Sequence, residues 1–280
     1  MLPLCYLRER EGVLSEYGHN ISSVAINDFI NTFPNKYDDF YKALGNFSNE
    51  LYEKQCKKRE IYFLDKTPRY YNVIKQISKA HPNAKFIFLF RNPVSVMSSM
   101  FETWADGRLK NMYSFHRDLN HGIFALSDGY KLLKTKSLAI KYEDLITNPT
   151  KYIKNICKYL ELDFDEKMLK NISSNNIKGR MGDPTGVEEY SEIDRRPLEK
   201  WKYVFNTRFR KKIIKKYVES LSDEVLNIQG YEKQSILAEI DNMKHLKKNN
   251  MQDRLDLLKS RVIQFCKPNI WLGKKCKKVE

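Results

Sequence analysis

Two short segments place a basic residue directly before a helix-capping residue and a proline. They are Lys66-Thr67-Pro68 and Arg91-Asn92-Pro93, and each follows an apolar run. Thr and Asn are common N-cap residues, and proline suits the first position of a helix. A helix N-terminus with a cation beside it attracts anions, because its first backbone N–H groups lack partners within the helix. Both segments are therefore candidate anion-binding junctions with free backbone N–H groups.

The second junction is followed by serines. Ser95 and Ser99 lie four residues apart and share one face of the predicted helix, with Ser98 beside them. A guanidinium group offers a fork of donors and a serine offers a hydroxyl. We therefore predict that Arg91 and Ser99 bind one phosphate group together.

The elements that must position these residues alternate between strand and helix. Apolar runs predict strands at 61–65, 85–90 and 137–142, of which the run at 85–90 is typical of a strand buried on both faces. Helical spacing of apolar residues predicts two helices within 20–57, divided at Pro34, and further helices at 94–104, 113–134, from Pro149, at 201–217 and at 223–226. This alternation indicates an α/β fold, with a parallel sheet flanked by helices in a P-loop-like three-layer arrangement. In such sheets ligands bind beyond the carboxyl ends of the strands.

The chain changes character after Gly230. Apolar residues at helical spacing among strongly polar ones predict one long C-terminal amphipathic helix, which ends in a basic stretch at 274–278. We divide the chain into an α/β domain, 1–231, and a basic helical tail, 232–280. Self-association through residues 232–265 is one expected use of this tail.

The composition favours anionic partners. Of the 280 residues, 50 are Lys or Arg and 35 are Asp or Glu, which leaves a net charge of +15. Nucleic acids, anionic membrane surfaces, nucleotides and sulfated glycans are all compatible with this excess. The five cysteines form no CxxC pair, which argues against a zinc site and a disulfide framework and favours a cytoplasmic protein with reduced thiols. No apolar run reaches the roughly 18 residues of a membrane span.

Four segments follow one another in the chain: LDKTPRYY (64–71), FLFRNPVSVMSS (88–99), IKYEDLITNP (140–149) and MGDPTGV (181–187). Together they resemble, in the same order, segments of the sulfotransferases that use 3′-phosphoadenosine 5′-phosphosulfate (PAPS). The second resembles the segment that binds the 3′-phosphate, the first the KTP segment of carbohydrate and related sulfotransferases, and the third the YEDL segment. The resemblance implies transfer of the sulfuryl group from PAPS to a hydroxyl or amine acceptor, for which a carbohydrate is one candidate.

The resemblance also implies roles for individual residues. Arg91 and Ser99 bind the 3′-phosphate, Tyr142 lies near the adenine, and Arg180 and Gly182 contact the nucleotide from a loop or flap. That flap is predicted at 171–196, where few residues are apolar.

For the chemical step, the resemblance implies that Lys66 approaches the sulfuryl group that is transferred. In-line displacement then depends on positioning, on cations around the developing charge and on a base that deprotonates the acceptor. Asp65, beside Lys66, is one candidate for the base. Other candidates are Glu16, His19, Glu102 and His116.

One segment of the family is missing from this sequence. The family normally opens with a strand, a glycine-rich loop of the PxSGTT kind that wraps the 5′-phosphosulfate, and a helix. No such loop is found, and the first residues resemble the part of the family that follows it. We therefore expect either a truncated enzyme, weakly active by itself and with exposed sheet edges, or a degenerate relative that binds the nucleotide weakly or not at all.

Three other functions stay open. The first is a catalytically inactive protein that binds anions or nucleic acid through its net charge and basic tail. The second is an interaction module that pairs through the tail helix. The third is a nucleotide kinase, which lacks support because neither a GxxxxGK phosphate loop nor clear metal-binding carboxylates are found.

Overall fold

The structure is a computed structural model that describes residues 19–56, 60–169, 194–244 and 251–266. The chain forms two compact units, residues 1–85 together with 275–280, and residues 86–274. The predicted division of the chain into a domain and a tail stays a prediction.

Within its described residues, the first unit contains helices and no strand. These are α1 (His19–Asn31), α2 (Tyr37–Glu53), a 3₁₀ helix (Pro68–Asn72) and α3 (Ile74–Ala80). The two helices predicted on either side of Pro34 are thereby confirmed. A buried apolar cluster joins α2 to α3 and consists of Tyr41, Leu44, Val73 and Ala80.

The strand predicted at 61–65 is wrong. Ile61 and Leu64 are exposed, as are the aromatic rings between them, and the segment joins no ladder. A strand needs a neighbouring backbone to accept and donate its hydrogen bonds. The described sheet consists of two strands from the second unit, so the strand-forming composition of this segment finds no partner there.

Gly45 lies where α2 contacts α3. A Cβ atom at this position would lie 2.1 Å from the backbone oxygen of Ala80. We expect Gly45→Ala to lower the free energy of unfolding by about 1–2 kcal/mol, because overpacking costs about 1–3 kcal/mol and the better helix propensity of alanine offsets up to about 1. Denaturant unfolding measures the change, with Asn46→Ala on the exposed side of α2 as the matched control. An unchanged stability of Gly45→Ala would contradict this packing.

The second unit contains the sheet and most of the helices. Its regular elements are β1 (Phe86–Phe90), α4 (Pro93–Thr103), α5 (Ile123–Leu133), β2 (Ser137–Lys141), α6 (Tyr142–Thr147), α7 (Pro149–Leu160), α8 (Arg196–Val204), α9 (Arg208–Ser220), α10 (Asp223–Ile228), α11 (Lys233–Asn242) and α12 (Met251–Cys266). Shorter 3₁₀ or π turns occupy Leu109–Phe115, Asp118–Gly122, Lys134–Lys136 and Glu166–Leu169.

The two strands are parallel neighbours. Phe86 lies opposite Ser137 and Phe90 lies opposite Lys141. Helices α4 and α5 form the crossover that a parallel pair requires. The predicted α/β fold with a parallel sheet and flanking helices is confirmed, and the strands predicted at 85–90 and 137–142 are both present.

The faces of β1 differ, although a strand buried on both faces was predicted. Phe88 and Phe90 are buried and pack edge-on against Tyr130 of α5. Ile87 and Leu89 point to the other face, because side chains alternate along a strand, and both are exposed. A continuous apolar run therefore does not establish burial on both faces here.

Three predicted helices differ from the observed ones. The helix predicted at 113–134 is divided into a 3₁₀ turn, a π turn and α5, with Gly122 at the second break. The helix predicted at 201–217 is two helices, because Thr207 caps the start of α9 by accepting a hydrogen bond from the Arg210 amide at 3.1 Å. The single amphipathic helix predicted after Gly230 is likewise two helices, α11 and α12, and α12 is the last helix of the described residues. In the described stretches, no helix is both long and apolar enough to cross a bilayer.

Helix α12 is held to the unit by ion pairs. Asp256, which is completely buried, accepts two hydrogen bonds from Arg108, at 2.7 and 2.9 Å. Asp253, also buried, accepts two from Arg210 of α9, at the same distances. Both pairs have the parallel fork geometry that gives arginine–carboxylate pairs their strength and orientation.

The pair of Asp256 and Arg108 predicts that the free energy of unfolding falls at acid pH. The hydrogen bonds from Arg108 favour the carboxylate and lower the pKa of Asp256 to about 2. Because the unfolded value is near 3.9, the pair stabilises the fold above about pH 4, and this stabilisation is lost as the pH falls toward 2. We expect Asp256→Asn to be less stable than the parent at neutral pH, with a difference that shrinks below pH 4. Urea unfolding across this range measures it, with the exposed Asp163→Asn as control. A difference independent of pH would contradict the linkage.

Candidate functional site

The ends of the two strands bring two of the predicted residues together. Phe90 and Lys141 are opposite in the sheet, so Arg91 and Tyr142 are the residues that directly follow the paired ends. The guanidinium carbon of Arg91 lies over the ring of Tyr142, 4.4 Å from its centre. This cation–π contact fixes the plane of the guanidinium group at the carboxyl end of the sheet, where ligands bind in folds of this class.

The guanidinium group of Arg91 is only partly hydrogen-bonded. One terminal nitrogen, Nη2, donates to the carbonyl oxygen of Pro197 in α8 at 3.3 Å. The Nε atom is buried and, among the described residues, has no hydrogen-bond partner. Buried donors without a partner are rare, since they lose water without compensation. An anion that accepts from Nε would remove this cost.

Helix α4, which begins just after the end of β1, contains three serines. Ser95 and Ser98 are buried and Ser99 is half-buried. The hydroxyl oxygen of Ser98 is a second buried atom without a hydrogen-bond partner in the described part of the chain. From the sequence, Ser98 was only a neighbour of Ser99. The structure makes its hydroxyl a further candidate for binding the anion. The pairing of Arg91 and Ser99 on one phosphate stays a prediction.

The backbone at the start of α4 differs from the prediction of free N–H groups. The Asn92 N–H donates to the Glu143 carboxylate at 2.9 Å, and the Val94 N–H donates to the Asn92 side chain at 2.9 Å. Pro93, between them, has no N–H to offer. Asn92 is thus the N-cap that the sequence predicts, but the cap and Glu143 occupy these amides. An anion here would be bound mainly by side chains.

Glu143 and Tyr231 are residues of this region that the sequence did not indicate. The second carboxylate oxygen of Glu143 accepts a hydrogen bond from the Tyr231 hydroxyl at 2.5 Å. Burial, and then the neighbouring carboxylate, raises the pKa of Tyr231 far above its usual range, so its hydroxyl stays protonated. Glu143 therefore connects the cap of α4 to the loop after α10. The only sequence signal was that Glu143 belongs to the YEDL segment.

Gly230 allows this loop to approach the sheet. Its backbone has a φ of 80°, a left-handed conformation that glycine adopts without strain. A Cβ atom here would lie 3.0 Å from Cδ of Lys141. The Lys141 ammonium group itself lies 5.0 Å from the centre of the Tyr231 ring. The glycine thus permits Tyr231 to pack beside the end of β2.

The first junction does not form the predicted helix N-terminus. Thr67 precedes a 3₁₀ helix of five residues, and its side chain makes no capping hydrogen bond. The α-helix α3 begins only at Ile74. Lys66 and Asp65 are both exposed.

Asp65 is engaged by two tyrosines of its own unit. The hydroxyl groups of Tyr52 and Tyr70 both donate to one oxygen of the Asp65 carboxylate. Burial and this carboxylate raise the pKa of Tyr70 to about 12 and that of Tyr52 still further. Because both tyrosines use the same carboxylate oxygen, the second oxygen of the exposed Asp65 side chain is not occupied by them.

His81 is a second candidate base in this unit, which the sequence did not single out. Its Nε2 atom lies 3.1 Å from the Ser48 hydroxyl, and its ring lies beside that of Tyr52, with centres 6.3 Å apart. Burial lowers the pKa of His81, which keeps the imidazole neutral near pH 7 and able to accept a proton. No motif in the sequence marks it, because its partners come from α2.

The remaining predicted residues divide into two groups. Glu102 forms an ion pair with Lys200 at 2.9 Å, and His116 is exposed. Glu16, Arg180 and Gly182 lie outside the described residues, as does the side chain of His19. Where the structure describes side chains, no group of three or more His, Cys, Asp or Glu is placed to hold a metal ion.

Comparison with known proteins identifies the family. The model of the sulfotransferase family matches residues 16–166, more than half of the 280 residues. Among solved structures, the chain is similar to the sulfotransferase domain from the curacin biosynthetic pathway, with 16% identity, a TM-score of 0.42, and coverage of 66% of this chain and 67% of that one. A search of curated proteins finds no match. The matched segment includes both junctions and the YEDL segment, and the chain belongs to the sulfotransferase family.

Proposed function

We propose that this protein transfers the sulfuryl group of PAPS to a hydroxyl or amine acceptor. The observation that carries the proposal is the stacked pair of Arg91 and Tyr142 at the ends of two paired strands, with a buried guanidinium N–H that makes no hydrogen bond to any residue that the structure describes. A bound nucleotide needs both an aromatic surface and a cation for its phosphate. A cytoplasmic location is part of the proposal and is supported by the cysteine content.

In the proposed site, side chains bind the 3′-phosphate. Arg91 donates from Nε, and the hydroxyl groups of Ser98 and Ser99 supply further donors from α4. Tyr142 lies near the adenine and holds the guanidinium plane. Because Glu143 and Asn92 already occupy two amides at the start of α4, the phosphate depends on these side chains more than on the helix N-terminus.

The proposed reaction is an in-line displacement. The acceptor oxygen or nitrogen attacks the sulfur atom, the bond from sulfur to the 5′-phosphate oxygen breaks, and 3′-phosphoadenosine 5′-phosphate leaves. Lys66 stabilises the negative charge that develops on the leaving oxygen. Asp65, the candidate beside Lys66, takes the proton of the acceptor.

A second candidate is an anion-binding protein without transferase activity. This candidate is favoured by the Asn92 and Val94 amides, which already make hydrogen bonds within the protein. A site with fewer free N–H groups binds PAPS less firmly. Such a protein would bind the nucleotide product but transfer nothing.

Two measurements on the same preparation test the proposal. Isothermal titration with 3′-phosphoadenosine 5′-phosphate reports binding, and transfer from radiolabelled PAPS to a panel of hydroxyl and amine acceptors reports activity. Saturable binding with transfer supports the sulfotransferase, whereas saturable binding without transfer supports the second candidate. If neither occurs, while the chain is folded by circular dichroism, both are contradicted.

A further inference from the structure

Helix α12 exposes its apolar side chains. Five of them are between 50% and 90% exposed, namely Met251, Leu255, Leu258, Val262 and Phe265. Their spacing alternates between four and three residues, which places all five along one side of the helix. We call this row the α12 stripe. The solvent-facing side of a surface helix normally carries polar residues instead.

The opposite face of the helix is polar and buried. It presents Asp253, Asp256 and Ser260 to the body of the unit. The two aspartates are held by the bidentate pairs with Arg210 and Arg108 described above. Rotating the helix to bury the stripe would break both pairs and remove the counter-charge of Arg108 and Arg210, which is costly. The exposure of the stripe is therefore a consequence of how the helix is anchored.

The residues that flank the stripe are all basic or uncharged. Arg254 and Arg261 lie along one side and Lys259 along the other, and all three are exposed. The acidic residues of α12 are Asp253 and Asp256, both on the buried face. The sequence that follows contains Trp271 and a basic stretch at 274–278. The stripe is thus bordered by positive charge alone.

This charge pattern discriminates between possible occupants of the stripe. Pairing with α12 of a second copy would bring Arg254, Lys259 and Arg261 against the same cations of the partner, in parallel or antiparallel orientation, and like charges at these flanking positions oppose pairing. An anionic lipid surface, in contrast, offers both a hydrocarbon boundary for the apolar row and negative headgroups for its flanks. Helices with this distribution lie in the plane of the bilayer surface.

We propose that α12 docks on an anionic lipid bilayer with the stripe facing the acyl chains. Leu255, Leu258 and Val262 enter the boundary between headgroups and hydrocarbon, and the flanking cations contact anionic headgroups. The aspartate–arginine pairs on the opposite face keep the stripe presented while the body of the unit stays in water. This binding is independent of the proposed transferase activity and would place that activity at a membrane surface.

Co-sedimentation of the full chain with vesicles tests the proposal. We expect binding to vesicles of equal parts phosphatidylcholine and phosphatidylserine, weak binding to phosphatidylcholine alone, and weaker binding at high salt. Leu258→Gln is expected to lower the partition coefficient about tenfold, because one leucine side chain no longer enters the apolar phase. The double variant Lys259→Glu, Arg261→Glu is expected to abolish the preference for phosphatidylserine.

Matched controls come from another surface of the same unit. Leu132 on α5 is exposed to a similar extent as Leu258, and Lys134 is an exposed lysine near it. Leu132→Gln and Lys134→Glu should therefore bind vesicles as the parent does. All substituted side chains are exposed, so the variants are expected to fold, and thermal unfolding verifies this.

Three results would overturn the proposal. One is a folded parent chain that does not bind vesicles containing phosphatidylserine. Another is binding that Leu258→Gln reduces no more than Leu132→Gln does. The third is a dimer, seen by light scattering without vesicles and dissociated by Leu258→Gln, which would show that a second copy covers the stripe.

Discussion

Replacing Arg91 by alanine is expected to weaken the binding of 3′-phosphoadenosine 5′-phosphate about tenfold to a hundredfold. The Nε–H group of Arg91 is buried and makes no hydrogen bond with described residues, so a phosphate oxygen would gain a charge-assisted bond there. Bonds of this kind contribute about 1.5–3 kcal/mol, and each 1.4 kcal/mol is about a factor of ten. Isothermal titration calorimetry on the parent and the variant measures the ratio of dissociation constants.

Two further arginine variants separate a specific contact from general charge. Arg91→Lys keeps the charge but loses the planar fork and the stacking on Tyr142, and we expect an intermediate affinity. Arg208→Ala removes an exposed arginine of α9 and should leave the affinity unchanged. If Arg208→Ala and Arg91→Ala weaken binding equally, the site assignment fails and only a general electrostatic attraction remains.

Serine variants at the same site locate the phosphate along α4. Ser98→Ala removes a buried hydroxyl that has no partner among the described residues, and Ser99→Ala removes a half-buried one. The sequence predicts that Ser99 binds the phosphate. The buried Ser98 hydroxyl, which has no partner among the described residues, favours Ser98 as the ligand instead. We expect the variant of the ligating serine to lose about 1–3 kcal/mol of binding free energy. Equal, unaltered affinity of both variants would remove the serines from the site.

Glu143→Ala is expected to lower the free energy of unfolding by about 2–4 kcal/mol. The substitution leaves the buried Tyr231 hydroxyl and the Asn92 N–H without their acceptor. An unsatisfied buried polar group costs about 1–3 kcal/mol, and the substitution creates one such group at Tyr231 and a second, half-buried one at Asn92. Denaturant unfolding, monitored by far-ultraviolet circular dichroism, measures the change.

A double-mutant cycle identifies the cause of this loss. In the Tyr231→Phe background the hydroxyl is already absent, so Glu143→Ala should cost about 1–2 kcal/mol less than it does in the parent. Glu143→Gln keeps an oxygen that accepts from the Asn92 N–H and should be the mildest of the three single variants. Costs that simply add would show that Glu143 and Tyr231 do not interact.

The Glu143 connection also bears on the proposed nucleotide site. Asn92 is both the cap of α4 and the neighbour of Arg91, and its backbone is held by Glu143. A loosened Asn92 would let the guanidinium group of Arg91 leave its place over Tyr142. Glu143→Ala is therefore a positioning variant, and it differs from Arg91→Ala because it lowers stability together with affinity.

Features that depend on neighbours in the chain were readable from the sequence alone. The strands at 85–90 and 137–142 are short apolar runs of strand-forming residues, and their parallel pairing follows from the helices between them. Asn92 as an N-cap and Pro93 in the first helical position are local preferences of single residues. Because parallel strands end at one edge, the approach of Arg91 and Tyr142 was also implied by the order of the elements.

Features that depend on distant partners required the tertiary structure. The strand predicted at 61–65 did not form, since a strand is stable only beside another one. Glu143 and Tyr231 are 88 residues apart, and no local pattern connects them. The apolar periodicity of α12 predicted a helix but not which of its faces is buried. That face is set by Arg108 and Arg210, whose bidentate pairs with two aspartates hold the polar side of α12 against the unit. Turning the helix over would take these arginines away from their counter-charges.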